Sequence, residues 1–523
     1  MIEEKDDVLI DHLAKRGVDN KMVLGHPASL FVLFFTEMWE RFSFYGMRAL
    51  LVTFLISEVA KNGWGWTNAE ALNLYGWYTG LVYATPLIGG LIADRVTGYK
   101  KAILLGALIM TLGHASMALE GESKLFFFIG LGLMILGNGL FKPNISSMVG
   151  QLYPDNSAKK DAGYTVFYMG INAGSFLGSM LCGYIGEKIG WHYGFGLAGV
   201  FMFFGMLQFY FGQHIFGVIG DKPKKNIDPN AAIEEVKNEP HVVRDRLIVV
   251  AVLIIASVFF FLAFEQAGGS MTIFAKNYTQ RVLEGTAGTT FKWVDAGLTI
   301  LPIFIVTYVL LKLANKIFKQ YPLTIIFTLI SFFSIVILGL WKVHREFTSE
   351  VTEVTVAWFQ ILNAFFIVTL ASSFSRFWEK VWNPSGPVKF ALGLISVGVG
   401  FLALSYGSMS IPSGAATASV SMIWLILAYF FHTTGELCVS PVGLSYMSKL
   451  SPKKFLGLIF GFWFLASAIA NKLAGFSGGL IDKITEMYSM STFFLIIAGL
   501  PIAAAVLLLI LSPFLRKMMH GIR

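Results

Sequence analysis

EMWERFSFYG, residues 37–46, lies in the middle of a long segment, 28–56, that is otherwise almost entirely apolar. Such a segment is typical of a membrane-spanning helix, which needs about 20 apolar residues. A charged side chain at the centre of a bilayer costs a few kcal/mol, so it is a candidate functional group. Glu37, Glu40 and Arg41 meet this description, and their spacing places them on one helix face.

The whole chain has the composition of a membrane protein. Of its 523 residues, 55% are hydrophobic and 14% are charged, and the mean hydropathy is +0.66. Soluble domains carry about 25% charged residues, and in water this chain would expose large apolar patches. The composition therefore argues against a soluble enzyme, a nucleic-acid-binding protein and a disordered protein. The net charge of +8 is attributed to Lys and Arg in cytoplasmic loops.

Fourteen apolar segments follow one another along the chain, and each is predicted to cross the membrane. Helices satisfy their own backbone hydrogen bonds in lipid, and the alternating pattern of a barrel is not visible. The predicted fold class is therefore an all-α membrane protein. The predicted spans are 28–56, 72–93, 102–119, 125–150, 162–185, 194–216, 247–274, 296–317, 323–341, 357–377, 388–406, 420–447, 456–476 and 492–515.

Polar segments divide the chain into regions. Residues 1–26 lack the features of a signal peptide, and we predict that they form a cytoplasmic tail. Residues 218–246 predict a cytoplasmic linker between an N-terminal six-helix bundle, 27–217, and a C-terminal bundle, 247–523. Basic residues concentrate in the loops that an even number of spans places inside, so both termini are predicted to be cytoplasmic.

Further ionisable residues lie inside predicted spans, namely Lys142, Glu265 and Glu436. One interpretation is that these charges only pair and hold helices together, although small or neutral polar residues do so at lower cost. Burial disfavours the charged form of a carboxyl group and a nearby cation favours it, so a Glu between these influences can exchange a proton near neutral pH. The acid Glu436 in the second half and the bases Arg41 and Lys142 in the first predict a cavity for a solute with an amine and a carboxylate.

Four sequence stretches resemble known transporter motifs, one of a superfamily and three of a family. GGLIADRVTGYKK, 89–101, is similar to the loop after the second helix in the major facilitator superfamily. This resemblance implies two six-helix bundles and a conformational latch at Asp94 and Arg95. The two remaining spans then form an extra two-helix hairpin at about 296–341.

Three signatures of the proton-dependent oligopeptide transporters also have counterparts here. EMWERFSFYG at 37–46, FYMGINAGS at 167–175 and GELCVSPVG at 435–443 resemble them, and the similarity runs from about residue 27 to the C-terminus. The resemblance implies proton-coupled symport of di- and tripeptides by alternating access. Protons are then the coupling ion, with no metal or other cofactor, and we expect a monomer whose partners are peptide, protons and the lipid bilayer.

The resemblance also implies roles for individual residues. Glu37, Glu40, Arg41 and Lys142 belong to proton coupling. Arg41 and Lys142 face the carboxylate of the peptide, and Glu436 faces its amino group. The residues implied to line the pocket are Tyr45, Tyr83, Tyr168, Asn172, Asn363 and Trp463.

The sequence departs from the family pattern in several places. Phe44 replaces the first Tyr of a tyrosine pair, and Gly76 stands where animal members have a His, so protonation depends more on the glutamates. The loop 405–418 is short where animal members have a large extracellular domain, which indicates a bacterial member in the cytoplasmic (inner) membrane. Bacterial members usually insert their hairpin in the central linker, whereas here it follows the seventh span.

Other functions remain as alternatives. Plant relatives carry nitrate and other anions, so the chain could be a proton-coupled carrier of another small polar or anionic solute, such as nitrate or an amino-acid derivative. GFSGG, 475–479, matches a short serine-hydrolase pattern, but helix packing explains its small residues. No HExxH motif is present, and no enzyme activity is predicted. A channel is disfavoured, because a continuous pore does not need opposite charges in separate halves.

Overall fold

A computed structural model describes residues 2–154, 157–222, 239–452 and 455–522. Most of the predicted linker, 223–238, lies outside the described residues. The helices are α1 (Ile2–Lys15), α2 (Ala28–Ile56), α3 (Asn68–Ile92), α4 (Tyr99–Met117), α5 (Lys124–Gln151), α6 (Ala158–Lys188), α7 (Trp191–Gly212), α8 (Pro240–Phe264), α9 (Ser270–Asn277), α10 (Gly285–Ile317), α11 (Pro322–Thr348), α12 (Val356–Lys380), α13 (Gly386–Gly407), α14 (Ile423–Leu450), α15 (Leu456–Gly478), α16 (Ile481–Met487) and α17 (Met490–Met518). Two antiparallel pairs of two-residue strands join β1 (Met22–Val23) to β2 (His26–Pro27) and β3 (Val282–Leu283) to β4 (Thr352–Glu353).

Each predicted span coincides with a long helix, apart from a break in the seventh. Eleven helices in the described ranges are long and apolar enough to cross a membrane. Helices α2, α3 and α4 are not among them, and the apolar sequence of α2 is interrupted by four charged residues. Phe304, Phe333 and Ile510 are 70%, 68% and 70% exposed, as expected for side chains that contact lipid.

Packing divides the chain into two compact units. Unit 1 comprises Met1–Leu51, Thr85–Pro223 and Val282–Ile361, and unit 2 comprises Val52–Ala84, Lys224–Arg281 and Leu362–Arg523. This division differs from the predicted one in two respects. The boundaries fall inside α2, α3 and α12, and the hairpin α10–α11 belongs to unit 1, although it follows the linker and the sequence predicts it as part of the C-terminal bundle 247–523.

Aromatic packing explains why the hairpin belongs to unit 1. The ring of Phe332 on α11 lies 5.2 Å from that of Trp39 and 5.5 Å from that of Phe35, both on α2. Trp39 also stacks on Phe201 of α7 at 5.2 Å. Burial of one such ring stabilises by about 1.5–3 kcal/mol, so these contacts attach α11 to helices that are distant in the sequence.

The predicted N-terminal tail contains a helix that docks on unit 1. Leu9 and Leu13 of α1 are buried. Arg16 Nη1 donates to the carbonyl oxygen of Gln151 at 3.1 Å, and His12 Nε2 lies 3.1 Å from the same oxygen. Gln151 ends α5, where the last carbonyl groups have no partner inside the helix. The segment therefore caps a membrane-spanning helix.

In unit 2, the seventh predicted span is broken by a 3₁₀ turn at Glu265–Gly268. A Cβ atom on Gly268 would lie 2.0 Å from Tyr75 Oη, so only glycine permits this approach of α3. Gln266 fixes the turn by donating from Nε2 to Ser477 Oγ at 2.9 Å. The predicted seventh span lies within one long helical segment, Pro240–Asn277. The sequence pattern does not indicate the turn inside it, because periodicity does not register a tertiary contact.

Candidate functional site

Unit 1 contains a buried cluster of one base and two acids on α2. Arg41 Nε lies 3.0 Å from Glu37 Oε1 and also donates to Glu40 Oε2. Glu37, Glu40 and Arg41 are 2%, 0% and 3% exposed. The helical repeat brings these side chains together on one face, which is the arrangement that their spacing predicted.

A fourth member of this cluster comes from α5. Asn138 Nδ2 donates to Glu40 Oε1 at 2.9 Å, and Asn138 is fully buried. Asn138 was not among the predicted site residues. The available signal was its position four residues before Lys142, which places the two residues one turn apart on the same face of α5.

The cluster has hydrogen-bonding capacity that the described part of the chain does not satisfy. Glu37 Oε2 and Arg41 Nη2 are buried there without a hydrogen-bond partner. Two carboxylates and one guanidinium leave an excess negative charge, which is costly in a buried site unless a cation or a proton balances it. Lys142 lies close enough for its charge to act on Glu37. A proton and a lysine can therefore both compensate this carboxylate.

The signature FYMGINAGS, 167–175, contains a glycine at which α6 lies close to α2. A Cβ atom on Gly174 would lie 2.2 Å from Met38 O and 3.0 Å from Arg41 Cβ. A side chain at residue 174 would therefore push α6 away from the charged cluster. The glycine of this signature has a packing reason that the sequence alone does not reveal.

The predicted pocket residues of unit 1 differ in exposure. Tyr168 on α6 is 43% exposed, whereas Asn172 is 5% exposed and donates from Nδ2 to Tyr168 O at 2.9 Å. Tyr45 on α2 is half-buried, and the guanidinium carbon of Arg48 lies 5.8 Å from the centroid of its ring. Tyr168 therefore presents the most accessible side chain of this group.

Unit 2 contains a separate acidic site. Asn363 Nδ2 on α12 lies 2.9 Å from Glu436 Oε2 on α14 and 3.2 Å from Thr433 Oγ1. Glu436 is partly exposed, and Pro441 follows it within the same helix. The arrangement presents a carboxylate held by an amide donor, and such a carboxylate can accept hydrogen bonds from an ammonium group.

The signature GELCVSPVG, 435–443, contains a glycine that packs against Trp463 in unit 2. Its ring centroid lies 6.1 Å from Phe261 and 6.4 Å from Phe390, and the residue is 5% exposed. A Cβ atom on Gly443 would lie 2.3 Å from Trp463 Cη2. Gly443 therefore makes room for the indole. The remaining predicted pocket residue, Tyr83, is half-buried on α3 of the same unit.

The loop predicted as a latch begins α4 in unit 1. Asp94 and Arg95 are exposed, and Asp94 Oδ1 accepts from Tyr99 Oη at 2.7 Å. A partly buried contact of this loop is made by Lys100, whose Nζ donates to Asp221 Oδ1 at 2.9 Å. Lys100 was not a predicted site residue, although its place in the basic end of the motif was visible.

The predicted site residues fall into two groups. Unit 1 carries Glu37, Glu40, Arg41, Tyr45, Asp94, Arg95, Lys142, Tyr168 and Asn172, and unit 2 carries Tyr83, Asn363, Glu436 and Trp463. Basic residues thus occur in the first group, and the acid Glu436 in the second. Among the described residues, no group of three or more His, Cys, Asp or Glu is arranged to hold a metal ion.

Comparisons with known proteins find similarity to peptide transporters. The sequence profile described as the POT family (PTR2) matches residues 100–233 and 334–496. A peptide transporter of Yersinia enterocolitica is 34% identical over 517 residues, covering 94% of this chain and 96% of that protein. A di-/tripeptide transporter of Lactococcus lactis subsp. cremoris is 33% identical over 528 residues, covering 96% and 98%.

A solved structure has a similar fold along its whole length. It is the crystal structure of a POT peptide transporter in complex with sulfate, with a TM-score of 0.74 and 29% sequence identity, and 99% of each chain is covered. This similarity confirms the predicted all-α membrane class and the major facilitator fold.

Proposed function

The chain belongs to the POT family, and from this membership we propose that it carries di- and tripeptides across the membrane together with protons. Its relatives are transporters and not enzymes, so the function is transport. The observation that carries the proton-coupled part is the buried cluster of Glu37, Glu40 and Arg41, in which Glu37 Oε2 and Arg41 Nη2 are left without a hydrogen-bond partner in the described structure.

The cluster supplies a means of coupling. While the acids are ionised, they hold Arg41, and Lys142 balances the remaining negative charge. A proton on Glu37 or Glu40 removes one carboxylate charge, and the hold on the two bases weakens. Arg41 and Lys142 can then bind the carboxylate of a peptide. Proton binding and peptide binding thereby favour each other.

The amino end of the peptide has a partner of opposite charge. Glu436 is partly exposed, and its Oε2 accepts a hydrogen bond from Asn363. An ammonium group can form a charge-assisted hydrogen bond with this carboxylate, which is stronger than a neutral one. We assign Tyr45, Tyr83, Tyr168, Asn172, Asn363 and Trp463 to the surroundings of the peptide.

Transport is proposed to occur by alternating access, in which two helical bundles rock around a site near the middle of the membrane. Asp94 and Arg95 are proposed to act as a latch in this motion. One proton moving through a potential of 100 mV supplies about 2.3 kcal/mol. That energy corresponds to roughly a 50-fold concentration of a neutral peptide.

The setting proposed for this activity is the cytoplasmic membrane of a bacterium, with both termini inside. The basic loops around Lys100 and Lys159 lie on the side that the charge rule assigns to the cytoplasm. We propose that the chain functions as a monomer and that protons are its coupling ion, with no metal or other cofactor.

The test is uptake of a labelled dipeptide into sealed liposomes under an inward proton gradient. Unlabelled di- and tripeptides are expected to compete, whereas amino acids, tetrapeptides and nitrate are expected to compete less. Uptake of labelled nitrate without uptake of the dipeptide would favour the anion carrier instead. Uptake that does not respond to the proton gradient would contradict proton coupling, and release of amino acids without a gradient would indicate hydrolysis.

A further inference from the structure

A lysine lies on the partly exposed surface of unit 2 inside a predicted span. Lys472 belongs to α15, near the end of that helix at Gly478. Its Nζ atom donates to Asn73 Oδ1 on α3 at 2.6 Å. The same atom lies 4.3 Å from the centroid of the Trp77 ring, which is also on α3. Neither the coupling cluster nor the predicted pocket includes these three residues.

The positive charge of Lys472 has no acidic partner in the described ranges. Its hydrogen bond and its ring contact are both with neutral groups. Two acids at the same end of these helices bind elsewhere. Glu70 Oε2 accepts from Thr67 Oγ1 at 2.8 Å. Asp482 Oδ1 accepts from Asn68 Nδ2 at 2.8 Å. An ammonium group has three N–H donors, so two donors and one charge remain available to a ligand.

An apolar groove between α3 and α15 begins at this lysine. Its volume is about 280 Å³. A Cβ atom on Gly80 would lie 3.0 Å from Ala468 O, so the two backbones approach closely along the groove. The polar atoms of its lining side chains are Lys472 Nζ and the indole nitrogen of Trp77, which lie at one end. The other lining residues are Gly80, Leu81, Ala84, Ala468, Ile469 and Leu473.

The groove faces the lipid side of unit 2. The side chains of Trp77, Leu81, Ile469 and Leu473 are exposed. Apolar side chains with this exposure are expected to contact lipid in a chain that spans the membrane. The occupant of the groove is therefore expected to come from the bilayer.

The depth of the polar end matches the boundary of one leaflet. With a rise of 1.5 Å per residue, Lys472 lies about 9 Å from the end of α15 and Asn73 about 8 Å from the start of α3. The proposed topology places these helix ends outside. A lysine near a helix end reaches towards the headgroups, and tryptophan favours the same interface. The apolar part of the groove then extends into the outer leaflet, whose hydrocarbon is about 15 Å thick.

We propose that this groove binds one anionic phospholipid of the outer leaflet, with its phosphate on Lys472 and an acyl chain between α3 and α15. The available N–H groups of Lys472 can form charge-assisted hydrogen bonds with a phosphate oxygen, and the indole of Trp77 is a further donor at the same end. Asn73 and the Trp77 ring hold the ammonium group without neutralising it. A zwitterionic lipid carries its own cation beside the phosphate, so a lipid with net negative charge is favoured.

Native mass spectrometry of the purified full chain, titrated with phosphatidylglycerol, tests this site. Lys472→Gln is expected to weaken binding of the first lipid about tenfold, because it removes hydrogen bonds to a charged group. Lys472→Arg keeps the charge and is expected to retain most of the binding. The matched control is Lys483→Gln, at an exposed lysine of α16 in the same unit, and its binding is expected to equal that of the wild type.

A second variant keeps the proposal testable if K472Q does not fold. Ala84→Phe leaves the lysine in place and narrows the apolar part of the groove, so it is expected to weaken phosphatidylglycerol binding as well. Unchanged binding in folded K472Q or A84F would overturn the proposal. Equal losses in K472Q and K483Q would also overturn it, since they would show only general attraction between charges.

Two competitors test the identity of the occupant. Phosphatidylcholine is expected to bind more weakly than phosphatidylglycerol, and inorganic phosphate is expected not to displace the lipid. Equal binding of the two lipids would contradict the preference for net negative charge, and displacement by inorganic phosphate would indicate a site for small anions instead. These measurements need neither peptide nor a proton gradient, so they separate this proposal from the transport function.

Discussion

Arg41 lies between two carboxylates of its own helix, and we propose that this arrangement makes the cluster responsive to a proton. Glu37 and Glu40 each contact the guanidinium, and Asn138 satisfies only one oxygen of Glu40. Replacing a carboxylate by an amide preserves the shape of the side chain and removes the charge. Such a change separates the structural contribution of the cluster from its contribution to coupling.

We expect Glu37→Gln and Glu40→Gln to abolish uphill uptake while exchange of internal for external peptide continues in part. Accumulation driven by one proton at 100 mV should fall from roughly 50-fold to no net concentration. Uptake and exchange in liposomes measure the two activities. The control is Glu58→Gln, an exposed acid just after α2. Full accumulation by E37Q and E40Q would exclude the coupling role.

Glu436→Ala is expected to weaken peptide binding roughly 10- to 100-fold, since a hydrogen bond to a charged group contributes about 1.5–3 kcal/mol. Blocking the amino group of the peptide should weaken binding to the wild-type protein similarly, and should add little further loss in the variant. Competition binding measures both effects. Glu486→Ala, at an exposed acid of unit 2, is the control. Equal binding of blocked and free peptides would refute the assignment.

At the scale of helices, the signature glycines act through close packing. Gly174 allows α6 to approach α2, and Gly443 accommodates Trp463. Unit 1 uses the same device between α4 and α5, where a Cβ atom on Gly106 would lie 2.7 Å from Gly137 O. Small residues are enriched where membrane helices approach closely. These glycines therefore set how closely their helices approach, and Gly174 does so beside Arg41.

Gly174→Ala should lower the stability of the protein by about 1–3 kcal/mol, because overpacking forces neighbouring groups to shift. The backbone oxygen of Met38, at 2.2 Å from the added Cβ, cannot move without displacing α2. Gly132→Ala is the matched control, since its Cβ would meet nothing within 4 Å. Thermal unfolding in detergent compares them. An unchanged melting temperature for G174A would contradict this account of the helix contact.

The attachment of the N-terminal segment is expected to depend on pH. His26 Nδ1 lies 2.8 Å from Tyr153 Oη, and burial lowers the pKa of His26 below its usual 6.5. The folded protein therefore favours the neutral ring, and this contribution to stability is lost as the pH falls below about 6.5.

His26→Gln should accordingly reduce the pH dependence of thermal unfolding between about pH 8 and pH 5. His344→Gln, at an exposed histidine of α11, serves as the control. A melting temperature that falls with acidity as steeply in H26Q as in the wild type would show that His26 is not responsible.

For the whole molecule, the proposed topology has an even number of spans and both termini inside, and it assigns each loop to one side of the membrane. Alkaline phosphatase fused after Gln280 should be active, because seven spans place that point outside, where its disulfides form. The same enzyme fused after Gln320, inside the hairpin, should be inactive. Activity at Gln320 and not at Gln280 would reverse the proposed topology, and equal activity at both would show that α10 does not cross the membrane.

Much of the candidate site was visible in the sequence, because its acids and bases stand in apolar helices and share helical faces. Asn138 was missed because an amide costs less in a membrane than a charge. A group of buried charges in the hairpin was missed for a different reason. Lys342 on α11 pairs with Asp295 on α10, and Glu346 on α11 accepts a hydrogen bond from Tyr184 on α6. These partners are far apart in the sequence, and their contacts form only when the helices pack.

The membrane class, the fourteen predicted spans, the family signatures and the face of α2 that carries its charges all follow from the amino-acid sequence. These properties follow from composition and from repeats within single helices, which depend on near neighbours in the chain. Tertiary structure alone decided that the hairpin packs in unit 1, that α1 caps α5, and that the seventh span breaks at Glu265–Gly268. Each of these depends on close contact between distant segments, and no local pattern specifies which segments meet.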